Sequence, residues 1–266
     1  MTPLAYSQVT ISDEQTAPLE TNGEDLTIDA TGNITLTTPG PAVTLNSDNA
    51  LSNAGSIIIN DIDNATGVNL QGGANRSFTN TGTINLLEEF VAEDTDGDNI
   101  IDGPFAEGTG RTGILISGAS PFEGNVELAS TSVIDVEGND SFGINLTNTA
   151  MAQEGLTGNL SQGGAIRVIG TNATGINVGS GITGDFANTG SITTQGEGAQ
   201  AINIDADIQG GFTTAGALTN TGFRFTTRPG LSNADTGVSG RDSLGAEDLL
   251  QAGSAINISS LSLIHI

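Results

Sequence analysis

The chain has 266 residues, with 31 acidic side chains, 6 basic ones that are all arginine, no cysteine and no tryptophan. A formal charge of −25 leaves no basic footprint for a phosphate backbone, so nucleic acid and anionic membrane surfaces are not expected partners. No apolar run approaches the roughly 18 residues of a membrane helix, so direct membrane insertion of this stretch is not expected either.

The first segment, MTPLAYSQVT, places the small residues Ala5 and Ser7 at the −3 and −1 positions of a signal-peptidase cut before Gln8. Residues 1–7 therefore read as the remnant of a signal peptide, with a plain N-terminal arm as the alternative. An exported chain without cysteine takes its stability from something other than disulfides.

Residues 8–260 are built from short runs rich in Ile and Val that alternate apolar and polar residues between Gly, Asn and Thr, which are strand and turn signals. An Asn-x-Gly-x-Ile turn occurs around Gly55 and again around Gly82. The stretch VIDVEGNDSFGINL (133–146) matches AIRVIGTNATGINV (165–178) position for position. Three consecutive units then hold one register of about 26 residues: Leu156, Ile182 and Ile208; Leu160, Phe186 and Phe212; Gly164, Gly190 and Gly216; Ile166, Ile192 and Leu218. A strand of the form GINL, GINV or AINI recurs at Gly67, Gly143, Gly175, Ala201 and Ala255, with a variant at Gly113.

Three short strands per unit, repeating in register, suit a solenoid in which each strand pairs in parallel with its copy in the next coil. The expected fold is all-β, a right-handed parallel β-helix with coils of about 26 residues, the hand following the preference for right-handed crossovers. Equivalent apolar residues then stack inside, and Asn145, Asn177 and Asn203 form an amide ladder outside. An antiparallel sandwich of many short strands is the alternative.

Between Gly67 and Gly113 the strand spacing stretches by roughly 20 residues beyond one coil, so 88–110 is an excursion from the stack. It carries EDTDGDNIIDG (93–103). Asp94, Asp96 and Asp98 match positions 1, 3 and 5 of a calcium loop, Ile100 offers its carbonyl at 7, and Asp102 stands at 9. The pattern resembles the acidic loops of thrombospondin-type-3 and EF-hand-like extracellular repeats, which implies a weak Ca2+ site. Asn99 replaces the usual glycine and Phe105 the bidentate glutamate, so completion falls to water or to Glu107. A solvated acidic bulge is the alternative.

The F-x-N-T-G-[ST]-I units (Phe78 to Ile84, Phe186 to Ile192) and the A-T-G-[IV]-N units (Ala65 to Asn69, Ala173 to Asn177) resemble passenger regions of bacterial autotransporters. GPFAEGTGRTGILI (103–116) and AEDLLQAGSAINI (246–258) resemble segments of such proteins from sphingomonad-like bacteria. The resemblance implies an exported cell-surface chain used for structural display or adhesion, with surface ligands or carbohydrate as possible partners. It also implies attachment to the outer membrane through a C-terminal β-barrel in cis. No barrel strands are visible in this sequence.

A carbohydrate-active β-helix enzyme, either lyase or hydrolase, is the reading from a different class. A lyase needs a basic side chain to take a proton beside carboxylates, and a hydrolase needs two carboxylates at a set separation. The arginines lie far apart in sequence, and only Arg224 and Arg228 are near each other. Asp205 and Asp207 would share one face if their stretch is extended. Asp235-Thr-Gly lacks the flanking hydrophobic strands of an aspartic-protease site. A groove lined by acidic and basic side chains on adjacent coils would favour the enzyme, and a smooth Thr/Asn face the stalk. The terminal LSLIHI (261–266) reads as translated transposon-end adapter from sequencing-library preparation, with a genuine last strand as the alternative, and it holds the sole histidine, His265.

Overall fold

Runs such as Ser56–Asn60 (SIIIN) and Ala165–Ile169 (AIRVI) alternate buried and outward side chains, and their β-branched residues favour a pleated strand over a helix. In a computed structural model, which describes residues 7–73, 77–94, 101–147, 154–224 and 249–259, such runs form 27 strands. They make three eight-stranded sheets and one three-stranded sheet. Each eight-stranded sheet takes its neighbouring strands from successive units of the sequence, and the pairing is parallel. The chain thus visits three faces in turn and advances one strand per circuit, a solenoid-like parallel β fold of eight coils. Among the described residues the regular elements are all strands.

The register follows the repeat. Leu160 pairs with Phe186 and Phe186 with Phe212 on the first face. Ile166, Ile192 and Leu218 align on the second. Ile144, Ile176, Ile202 and Ile256 align on the third. The match of 133–137 to 165–169 is a strand pair with Ile134 on Ile166 and Val136 on Val168. The short fourth sheet joins Phe122–Glu123, Glu154–Thr157 and Gly181–Ile182, and Ile208 extends it by a bridge to Ile182. Inward side chains form one continuous column of core, with Phe78, Phe186, Ile134, Ile176 and their equivalents fully buried. Burial of each contributes about 1.5–3 kcal/mol, so stability accumulates along the stack.

The corner between the first and second faces has two forms, short and long. Asn53, Asn80, Gln162 and Asn188 all point inward there, at most 1% exposed. Gln162 accepts from the Gly164 N–H at 2.8 Å and donates to its carbonyl at 3.0 Å, standing in for backbone partners. The turn then needs only one residue before the glycine. After Ile28 and Leu128 the corner is longer and closes on itself, as in the Ser132 N–H to Ala129 carbonyl bond of 2.9 Å. The corner glycine is required by close approach: a Cβ on Gly190 would run into the carbonyl oxygen of Gly164, and one on Gly82 into that of Gly55.

The turn entering the third face uses left-handed backbone at Asn64, Asp140 and Asn172, with φ of 55°, 50° and 56°, and glycine at the equivalent Gly110 and Gly198. The next residue points inward. It is alanine at Ala65, Ala173 and Ala199 and serine at Ser141, but in the coil that carries the excursion it is Arg111, 2% exposed. Arg111 and the excursion it supports distinguish the second face from the other two.

Candidate functional site

The outward positions of the second face bring together charges that lie far apart in sequence. Parallel pairing sets Asp135 beside Arg167 and Glu137 beside Ile169, with Gln195 next in that row. Arg167 Nη1 donates to Asp135 Oδ1 at 2.6 Å and to Glu137 Oε1 at 3.1 Å, and Nη2 reaches the same Glu137 oxygen at 3.1 Å. One guanidinium therefore serves two carboxylates. Burial pushes the Asp135 carboxyl above the ordinary aspartate value; Arg167 opposes this and Glu137 adds to it. Burial pulls the Arg167 guanidinium down, but Asp135 and Glu137 outweigh it and hold the group above its ordinary value. Both values are raised, which favours the charged form of Arg167, held by two counter-charges, and the neutral form of Asp135, which shares its arginine with Glu137.

The excursion rises beside this triad and is tied at its base. Arg111 Nε donates to the Ile62 carbonyl at 3.0 Å, and Nη1 donates to the Glu137 carbonyl and to Glu88 Oε2 at 3.3 Å. Glu88 also accepts from the Glu107 and Gly108 N–H groups at 3.0 and 2.8 Å, which joins the outgoing and returning strands of the excursion. The far side is held from the last coil. Arg224 Nη1 donates to the Gly103 carbonyl at 2.8 Å, Nη2 donates to the Pro104 carbonyl, and the guanidinium lies 4.3 Å from the Phe105 ring centre.

Between excursion and sheet lies a groove of about 380 Å³. Phe90, Val91, Ile101 and Phe105 form its excursion wall, and Glu137, Arg167, Ile169 and Gln195 its floor. Its polar groups are engaged within the protein: Glu88 and Glu137 by arginines and backbone N–H groups, and Gln195 by the Phe223 carbonyl at 2.8 Å. The groove thus offers hydrocarbon and charges already paired within the protein.

Of the expected calcium ligands, Asp94 and Asp102 are described, while Asp96, Asp98 and Ile100 lie outside the described residues. The Asp102 N–H donates to the Glu93 carbonyl at 3.0 Å, so the two ends of the acidic loop are brought together. Among the described residues no group of three or more acidic or histidine side chains is placed to hold a metal. His265 and the 261–266 tail, Asp235-Thr-Gly and Arg228 also lie outside the described residues.

Asp205 and Asp207 do not meet the condition set for them, because the chain bends at Ala206 between them. Asp205 instead branches from the amide ladder of the third face at Asn203. Asn177 Nδ2 donates to Asn145 Oδ1 at 2.9 Å, Asn203 to Asn177 at 2.9 Å, and Asn257 to Asn203 at 2.7 Å. Asn203 also reaches Asp205 Oδ2 at 2.7 Å. This face is the smooth polar surface expected of a stalk, while the second face carries the charged groove that was set as the mark of an enzyme. Both features are present, on different faces.

Comparison with protein-family models, with curated proteins and with solved structures finds no match. The functional reading therefore rests on the chain's own geometry and on the repeat motifs.

The Asp135–Glu137–Arg167 triad escaped a linear reading that saw only isolated arginines. The signal was available, because aligning VIDVE with AIRVI puts Asp135 level with Arg167. Arg111 was available in the same way, as a large cation at a position held by small residues at Gly40, Ala65, Ser141, Ala173 and Ala199.

Proposed function

We propose that this chain is a passenger region of an exported, autotransporter-like surface protein, winding as a right-handed β-helix and serving structural display and adhesion. The observation that carries the reading is the register held through eight coils, with a self-bonded asparagine ladder on one face and a tethered excursion on another. Such a stack spaces a presented loop away from its anchor without needing a globular core. A high negative charge keeps a surface-exposed solenoid soluble and repels its copies from one another. Attachment would come from an outer-membrane barrel in cis, with calcium at Asp94, Asp96, Asp98, the Ile100 carbonyl and Asp102 stiffening the presented loop.

The test is to express the complete reading frame in a Gram-negative host and add protease to intact cells. Loss of the solenoid from intact cells, with periplasmic markers spared, is the expected result. Retention in the cytoplasm under those conditions contradicts the reading.

The second reading is a polysaccharide-degrading enzyme, favoured by the acidic and basic side chains that line the second-face groove on adjacent coils. Against it, Arg167 is committed to both carboxylates that would have to act. Release of reducing ends or unsaturated uronate from acidic polysaccharides, abolished by Glu137→Gln, would establish the enzyme instead.

A further inference from the structure

We infer that the groove between the excursion and the second face docks a cationic amphipathic peptide segment. The first observation is a pair of exposed aliphatic side chains on the excursion wall, including the most exposed large hydrophobic among the described residues. Val91 is 77% and Ile101 46% exposed, and both line the groove with the half-buried Phe90 and Ile169. Hydrocarbon held in a concave, otherwise polar surface is stabilised when another apolar surface displaces its water.

The second observation fixes the charge of the occupant. Between 88 and 110 there are eight acidic residues and no basic one. Asp61 and Asp63 add two more carboxylates at the base of the excursion, accepting from the Glu89 and Thr109 N–H groups at 2.8 and 2.9 Å. The nearby cations are already engaged: Arg111 by Glu88, Arg167 by Asp135 and Glu137, and Arg224 by the Gly103 and Pro104 carbonyls. An apolar wall carried by an acidic excursion selects a partner with apolar residues on one side and Lys or Arg flanking them.

A sugar fits less well. Pyranose rings bind by stacking on open aromatic faces and by many hydrogen bonds. Here the Phe105 ring is covered by Arg224, and the polar groups of the groove bond within the protein. The exposed contacts are aliphatic, which suits Leu or Ile side chains of a peptide. The inference is independent of the export reading, since it requires only the second face and the tethered excursion.

Fluorescence anisotropy on the full chain at about 0.15 M salt, where the screening length is about 8 Å, tests this. One labelled probe alternates Leu and Lys so as to be amphipathic; a control of equal charge replaces each Leu with Ser. The expected result is saturable binding of the Leu/Lys peptide at micromolar concentration, about 10-fold tighter than the Lys/Ser control. Val91→Ser with Ile101→Ser, both at exposed positions, weakens the Leu/Lys peptide about 10-fold and leaves the control unchanged. Equal binding of the two peptides, or indifference to the double substitution, overturns the inference. So does binding of a neutral oligosaccharide in place of the Leu/Lys peptide, weakened by the same two substitutions.

Discussion

Arg111→Ala puts in the residue that three other coils carry at that inward position, Ala65, Ala173 and Ala199, yet the fold predicts that it destabilises the protein. The Arg111 and Glu88 side chains are 2% and 5% exposed. Removing one partner of a buried pair costs about 3–5 kcal/mol, because the remaining charge has no counter-ion and little water. Glu88 keeps two N–H donors, from Glu107 and Gly108, which places the loss near the lower end, at about 3 kcal/mol. The Ile62 carbonyl loses its guanidinium donor as well, adding about 1 kcal/mol. Because coils contact only their neighbours, the damage should concentrate where the excursion leaves and rejoins the stack. Urea unfolding followed by far-ultraviolet circular dichroism gives the total, since there is no tryptophan to report. A glutamate-specific protease reports the local effect by cutting at Glu88, Glu89, Glu93 and Glu107 faster than in the unsubstituted chain. Adding Glu88→Gln should recover part of the loss, as the stranded charge is then removed. An Arg111→Ala protein that unfolds at the same urea concentration and resists the protease equally would refute the latch.

Phe186 is fully buried, with its ring centre 5.1 Å from that of Phe212, so Phe186→Ala should cost about 3–5 kcal/mol and expose the amides of the flanking coils to hydrogen exchange; unchanged exchange there would count against an inward Phe186. Asp135 sets a pH dependence. Its folded-state pKa lies above the unfolded value, so its contribution is full below the ordinary aspartate range and is lost as pH rises through the raised value. The unfolding free energy of the protein, minus that of Asp135→Asn, should therefore increase as pH falls from about 7 toward 4; a difference that shrinks on acidification would show that the arginine outweighs burial. Calcium at about 1 mM, in the range of weak extracellular sites, should slow cleavage between Glu93 and Phe105, whereas equal rates in calcium and chelator would leave a solvated bulge.

The solenoid was legible because its strands obey one interval. Leu160, Phe186 and Phe212 reveal the coil by spacing alone, and the asparagine ladder follows once Asn145, Asn177 and Asn203 are put in register. Asn257 extends that ladder across a longer gap in sequence, which spacing alone did not reach. The buried corner amides were not legible from polarity. Asn53 and Gln162 look like turn residues, and only the stacking of coils shows that their amides bond backbone groups inside the column. The groove was legible only in outline. The extra length of 88–110 marks an excursion, but its path across the second face depends on Arg111, Glu88 and Arg224, whose partners are fixed by coil stacking and not by proximity along the chain.

Because the chain has no cysteine, a three-rung cysteine ladder measures the parallel stack directly. Ser161, Ala187 and Thr213 are outward positions aligned on successive strands of the first face. Neighbouring strands lie about 4.8 Å apart, within the roughly 4.4–6.8 Å between Cα atoms that a disulfide spans, while two strands exceed the limit of about 7 Å. On mild oxidation, Ser161→Cys with Ala187→Cys and Ala187→Cys with Thr213→Cys should each crosslink within one chain, and Ser161→Cys with Thr213→Cys should not. Crosslinking of the outer pair with failure of both adjacent pairs would contradict the in-register solenoid.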